Sequence, residues 1–390
     1  MRTRIVALMF LFSVMSYFDR TILSIAAPGI MKEFSISETQ MGVVFSSFLL
    51  SYTLLMIPCG RLADRFGPRS VLTVSAMGSG VATALFSVSA TIPIFAALRL
   101  LLGAFTAPLY PATGKMNANW ISPHLRARVQ GIVNCGAGLG GAVSPLLFPA
   151  LIATYGWRQS FIIAGMVTFA IGLIWRCCVA DRPKPEETPP RKPAWGRLFR
   201  NRRLMILTAG MFALAYFEYI FFFWIYYYLV EIRKMGLRES ALGTTALFVA
   251  WVILMPLGGW VADRLNSRLG KPAGFRAVGT GGVVLSSLCL FAGAWVENVT
   301  LAVGLMSLSL GFCAAADIVY WAAAIDASGE DAGAGCGIMN AGGNLGGFFA
   351  PIVTPWLAQM FGWTTGLYFG GLLALATVLV WRKRTSVEVR

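Results

Sequence analysis

Between Ile5 and Ala27 the chain reads IVALMFLFSVMSYFDRTILSIAA, an apolar run with Asp19 and Arg20 side by side inside it. A stretch of this length matches the thickness of a bilayer when helical. Hydrocarbon offers the backbone no water to bond, so a single apolar segment of this kind must close its hydrogen bonds internally. A charge at mid-depth costs roughly 2.5–3.5 kcal/mol on insertion scales, and such groups face one another or a watery cavity. Arg99, within IPIFAALRLLLGAF, stands in the same position in a later segment. Two buried arginines and a carboxylate in one bundle predict a site for an anion beside a group sensitive to protons or cations.

Similar runs fill the chain. Of its 390 residues 57% are apolar and only 13% charged, against about 45–50% and about 25% in soluble proteins. The pattern predicts an all-α membrane protein of twelve spans, roughly 5–28, 39–59, 70–90, 93–119, 128–151, 160–180, 204–230, 240–262, 273–295, 300–325, 336–358 and 365–382. An even count puts both ends on one side. The N-terminus, the C-terminal tail and the loops after even-numbered spans hold 24 of the 32 basic residues, the opposite loops five. The positive-inside rule then makes both termini cytoplasmic. The net charge of +15 reads as that asymmetry plus attraction to anionic headgroups, which excludes a nucleic-acid partner. Arg2 and Arg4 before the first run mimic a signal peptide, but no clean cleavage site follows it, so span 1 is expected to be retained.

The seven cysteines lack metal-ligand spacing and read as small packing residues. Lys115 is expected to snorkel to the cytoplasmic face. His124, the single histidine, falls in a loop. No cofactor or metal is expected, and neither His/Cys/acid clusters nor a Walker motif supports an enzyme.

Residues 181–203, DRPKPEETPPRKPAWGRLFRNRR, are the only long polar stretch and predict a cytoplasmic linker. It separates a six-helix bundle over 1–180 from a second bundle and short tail over 204–390. The halves repeat. Tyr17-Phe18-Asp19 returns as Tyr216-Phe217-Glu218, and GRLADR at 60–65 as GWVADR at 259–264, both at an offset of 199. At an offset of 206, residues 131–157 return as 337–363 with 12 identities in 27 positions. Two pseudo-symmetric halves around a mid-depth site form the architecture of many secondary transporters.

GRLADRFGPR, residues 60–69, resembles the loop signature of the major facilitator superfamily, G-x-L-x-D-R-x-G-x-R. Gly60, Asp64, Arg65 and Arg69, with Asp263 and Arg264 in the second copy, are the expected cytoplasmic gate: an aspartate near a helix N-terminus flanked by arginines forms a charge latch. A loop that merely anchors topology is the alternative.

Arg20 carries a planar fork suited to bidentate carboxylate binding. Asp19 is about 100° around the helix from it. With Arg20 toward a cavity, Asp19 points at a neighbouring helix, with Arg99 as its expected partner. Such a pair either couples a proton to an anion, since its proton affinity follows its partner, or only fixes packing. Glu218 and Asp317 are further acids at membrane depth, as second coupling sites or structural groups. Asn134, Asn340 and Asn344 lie on the glycine-rich spans 5 and 11, where amides suit substrate oxygens. Tyr17, Tyr52 and Trp321 are candidate cavity aromatics. FFFWIYYY at 221–228 reads as an interface belt.

YFDR at 17–20, residues 46–69 and residues 99–128 resemble the anion:cation symporter family, which includes bacterial hexuronate, aldonate and glucarate importers and the vesicular carriers related to sialin. The resemblance covers nearly the whole chain. It implies that Arg20 binds the substrate carboxylate, that Asp19 and Arg99 belong to a proton relay, and that Tyr17, Tyr52, Trp321 and Asn340 or Asn344 contact substrate. One departure stands out: in RLLLGAFTAP, Thr106 occupies the place of the family's second protonatable group, a glutamate. The expected function is proton-coupled symport of a small organic anion, a sugar acid or other carboxylate, by alternating access in the inner membrane, with a proton or sodium as coupling ion and a monomer as the unit. An uncoupled or exchange carrier and a drug:proton antiporter of the same fold are the alternatives.

Overall fold

The computed structural model describes residues 2–180, 194–270 and 273–382, and every regular element among them is helical. Helices α1 (Arg2–Phe34), α2 (Glu38–Phe66), α3 (Pro68–Leu85), α4 (Ile92–Thr106), α5 (Leu109–Trp120) and α6 (Pro123–Cys178) precede the linker. After it come α7 (Trp195–Arg200), α8 (Arg202–Tyr227), α9 (Leu237–Leu269), α10 (Ala273–Trp295), α11 (Val299–Ser328), α12 (Ala332–Phe361), α13 (Trp363–Ala376) and α14 (Val378–Arg382). Ten stretches of these are long and apolar enough to cross a membrane. The outer surface agrees with that reading: Leu54, Val88 and Leu379 are exposed, and Trp295 is 80% exposed. Water does not tolerate apolar surface of that extent on a monomer.

The elements start and stop for local reasons. Ser37 caps α2 in a reciprocal box, its hydroxyl accepting from the Gln40 N–H at 3.3 Å and its own N–H donating to Gln40 Oε1 at 2.9 Å. Asn201 and Asn298 cap α8 and α11 through the N–H groups of Leu204 and Leu301. These contacts satisfy amides that the helix itself leaves open.

Two breaks differ from the expected spans. The fourth segment is two helices rather than one, because Pro108 has no N–H to continue the ladder after Thr106. The fifth and sixth segments are two helices with no loop between them: within α6 the helix breaks at the single residue Gly156, whose φ of 78° and ψ of 162° are non-helical and favour glycine. Gly362, its repeat counterpart at φ 88°, makes the same turn between α12 and α13.

The superfamily motif is also not a loop. Helix α2 continues through Phe66, so the expected loop shrinks to Gly67. In the second copy α9 runs without a break to Leu269. Asp64 therefore lies in the last turn of α2, not at a helix N-terminus.

Two compact units emerge, Met1–Pro190 with Leu229–Thr245, and Arg191–Tyr228 with Ala246–Arg390. In the first, Phe12 of α1 meets Trp175 of α6 with ring centroids 5.2 Å apart, over a core that includes Ile5, Met9, Leu72 and Met116. Gly140 of α6 lies directly on the backbone of Val14 in α1, leaving no room for a Cβ. In the second unit, Gly346 of α12 lies in the same way on the Phe212 carbonyl of α8. The repeated glycines thus bring the same pair of helices together in both units.

The aromatic run 221–228 corrects an expectation. Phe221, Phe222, Phe223, Trp224, Tyr226 and Tyr228 are buried, and Trp224 donates to the Pro351 carbonyl at 3.1 Å. They are core of the second unit rather than an interface belt, because α8 is covered by α11, α12 and α13. The cysteines divide: Cys59 and Cys313 are buried as packing groups, whereas Cys135, Cys177 and Cys178 are exposed.

Part of the expected linker is structured. In α7, Leu198 is buried and Arg197 pairs with Asp331 at 2.6 Å. Residues 181–193 and the side chain of His124 lie outside the described residues.

Replacing Gly140 with alanine should lower stability by about 1–3 kcal/mol through forced separation of α1 and α6. Gly131, one end of the same helix segment, has open space at its Cβ position, and its alanine variant should melt like the wild type. Thermal unfolding of both in detergent checks the contrast.

Candidate functional site

Arg20 lies on α1 and is 2% exposed; Arg99 lies on α4 and is fully buried. Aromatic faces receive both. The Arg20 guanidinium carbon is 4.5 Å from the Tyr17 ring centroid, 4.7 Å from that of Phe48 and 5.1 Å from that of Tyr52. Phe48 and Tyr52, one turn apart on α2, stack at 5.7 Å with planes 14° apart. The Arg99 guanidinium sits 5.0 Å from the centroid of the same Phe48 ring, and its Nη1 donates to the carbonyl oxygen of Arg20 at 3.2 Å. Ring quadrupoles attract cations, more strongly when desolvated. Phe48 thus holds two positive groups near each other, and a carboxylate is the complement such a pair calls for.

Asp19 departs from its expected partner. Its carboxylate, 2% exposed, accepts a hydrogen bond from Thr168 Oγ1 on α6 at 2.9 Å and makes no ion pair with Arg99. The reason is angular. Arg20 turns toward α2, which leaves Asp19 facing the seam of α3 and α6, while Arg99 Nη1 reaches the Arg20 backbone. That seam is tight: a Cβ at Gly80 of α3 would meet the Gly165 carbonyl of α6 at 2.6 Å. One turn further along each helix stand Thr83 and Thr168.

The rest of this neighbourhood is hydroxyl-rich. Thr21 shares a hydrogen bond of 2.7 Å with Ser144, and Ser13 one of 3.0 Å with Tyr110. Thr106 donates to the Leu102 carbonyl at 2.7 Å and lies 3.4 Å from Ser79 Oγ.

In the second unit, the residue at the repeat position of Arg20 is Tyr219, whose hydroxyl donates to Asn344 Oδ1 at 3.5 Å. Asn344 is buried and Asn340, one turn earlier on α12, is half-buried. Trp321 donates its indole N–H to Asp317 Oδ2 at 3.2 Å. Asp317 is buried on α11, and Glu218 is half-buried on α8.

The remaining expected residues have other partners. Asn134 is exposed and accepts from Gln130 one turn before it, so its amide serves its own helix. Of the expected gate, Arg69 donates to the Arg176 carbonyl at 2.6 Å, Arg65 lies against Phe66, and Arg264 against Trp260. Asp263 is exposed. The surroundings of Gly60 and Asp64 lie outside the described residues. At the end of α1 an unforeseen clamp appears, in which Glu33 accepts from Arg158 and from the Trp157 indole, each at 2.7 Å.

Phe48, Thr83 and Thr168 are the residues that sequence reasoning missed. Only Phe48 left a signal, its spacing of four from Tyr52; single threonines in apolar helices are too common to stand out.

Among the described residues, an all-helical fold with apolar outer faces and buried cations marks a multi-pass membrane protein. Residues 9–316 match the model of the Major Facilitator Superfamily, and the chain belongs to that family. It is 30% identical to a probable sulfoacetate transporter of Cupriavidus necator, over 93% of this chain and 88% of the relative. It is 28% identical to a hexuronate transporter of Bacillus subtilis over 97% and 93% of the two chains, and 28% identical to a D-galactonate transporter of Escherichia coli over 95% and 93%. In fold it is similar to a bacterial homologue of the human lysosomal transporter Spinster, with a TM-score of 0.81 at 17% identity over 97% and 94% of the chains. The superfamily expected from residues 60–69 is borne out.

Loss of the shared ring in Phe48→Leu should destabilise the protein by about 1–2 kcal/mol, since both guanidiniums lose their aromatic face. The exposed Phe66 offers the control: Phe66→Leu should leave the thermal midpoint unchanged.

Proposed function

We propose that this protein is a secondary active transporter that moves a small organic anion, a sugar acid or other carboxylate, together with protons across the cytoplasmic membrane. The observation that carries the reading is the buried Arg20, caged by Tyr17, Phe48 and Tyr52 with Arg99 on the same ring. A guanidinium kept this dry has given up most of its hydration. A substrate carboxylate restores the lost interaction bidentately, whereas a cationic drug meets repulsion. The names of the relatives, sulfoacetate, hexuronate and D-galactonate transporters, support an anion as cargo.

In this reading Arg20 binds the carboxylate, Tyr17 and Tyr52 line it, and Asn340, Asn344 and Trp321 supply polar contacts from the second half. Asp19 is the proton-coupling carboxyl, with Asp317 and Glu218 as further acids and Arg99 positioning Arg20. The halves 1–180 and 204–382 rock against each other, and Asp64, Arg65, Arg69, Asp263 and Arg264 act at the cytoplasmic gate. Twelve crossings result when residues 129–178 are counted as two across the Gly156 turn and 299–361 as α11 and α12. Both termini are cytoplasmic, the working unit is a monomer, and the coupling ion is a proton. An uncoupled carrier is the second reading, favoured by Thr106 at the place of a family carboxylate.

Two measurements test this. Thermal unfolding of the detergent-purified protein against sulfoacetate, glucuronate and D-galactonate should show a rise in midpoint with at least one anion, since a ligand stabilises by mass action. Arg20→Ala should insert normally and show neither the shift nor uptake; robust uptake by that variant sinks the anion site. Asp19→Asn should lose proton-driven accumulation while keeping exchange of labelled for unlabelled anion. Accumulation that survives in Asp19→Asn moves the coupling elsewhere.

A further inference from the structure

The carboxyl of Asp19 is held unevenly. Oδ2 accepts from Thr168 at 2.9 Å. Thr83 of α3 is a neighbour of the same carboxyl, and neither Thr83 Oγ1 nor Asp19 Oδ1 has a hydrogen-bond partner. Asp19, Thr83 and Thr168 are each at least nine-tenths buried. Buried polar atoms in native proteins are almost always paired, so two adjacent orphans on facing helices are informative. A hydroxyl can donate or accept. Facing an ionised carboxylate, Thr83 donates; facing a protonated one, it accepts from the new O–H. One rotation of the Thr83 hydroxyl serves both states without any movement of the backbone, which the contact of Gly80 with Gly165 holds fixed.

We propose that Thr83 and Thr168 are positioning residues for Asp19, and that their two hydroxyls set the pH at which this carboxyl exchanges its proton and thereby the pH range of transport. The inference rests on the reading of Asp19 as the coupling group. The charged groups facing this region are Arg20, next on α1, and Arg99, which bonds the Arg20 carbonyl from α4; α3 and α6 contribute only hydroxyls. Thr168 is the side chain that donates to the carboxylate, and Thr83 stands beside it. Thr168 donates to the ionised form and favours it. Its loss disfavours the charge, and the titration moves to higher pH.

Infrared spectroscopy of the full chain in proteoliposomes, titrated with pH, reads this without a substrate. The protonated-carboxyl band that disappears in Asp19→Asn is the band of Asp19. In Thr168→Val its midpoint should rise by about one pH unit, a tenfold gain in proton affinity. Thr83→Val should shift it as well, and Thr168→Ser should restore the wild-type midpoint. A band that titrates at the wild-type pH in both valine variants overturns the proposal, as does the lack of any Asp19-dependent band. Thermal midpoints of the variants separate a change in titration from loss of fold. Accumulation by Asp19→Asn, measured separately, would remove the coupling reading whatever the infrared result, so the two failures are told apart.

Discussion

The organisation of the first half depends on one burial problem: two guanidiniums inside an apolar bundle. The protein solves it with an aromatic ring shared by both cations and with a hydrogen bond from one arginine to the backbone of the other. Phe48 and the Arg20 carbonyl are the pivots. Arg99 bonds that carbonyl through Nη1, and the carboxyl of Asp19 accepts instead from Thr168 on α6. The side chains of Asp19 and Arg20, neighbours on α1, thus face different helices. This divides the proposed labour as well, with anion binding toward α2 and proton exchange toward α3 and α6.

The internal repeat shows what each half has kept. The glycine contacts that set helix spacing recur, at Gly140 and Gly346 for close approach and at Gly156 and Gly362 for the turn. The chemistry has diverged. Where the first half has Arg20, the second has Tyr219 bonded to Asn344. Asp19 answers to Glu218.

Much of this was legible in the residues. The repeat and the membrane class were read from spacing and composition and the superfamily from the resemblance of residues 60–69, and Arg20, Tyr17 and Tyr52 do converge. The partner of Asp19 was not legible, because a helical wheel gives the direction of a side chain but not which neighbouring helix stands there. The belt at 221–228 was misread for a related reason: aromatic composition is the same at a lipid interface and in a core, and only the covering helices distinguish them.

Sequence alone determined that the chain must lie in a bilayer, as two related helical halves, since long apolar runs and their repetition are properties of the chain itself. It also determined that charge would be buried, because Asp19, Arg20 and Arg99 cannot leave the helices that carry them. Only the tertiary structure decided how each charge is satisfied. Satisfaction depends on groups far apart in the chain, Phe48 for the arginines and Thr168 for the carboxyl, and hydrogen bonds and ring contacts form only at the few ångströms that packing sets.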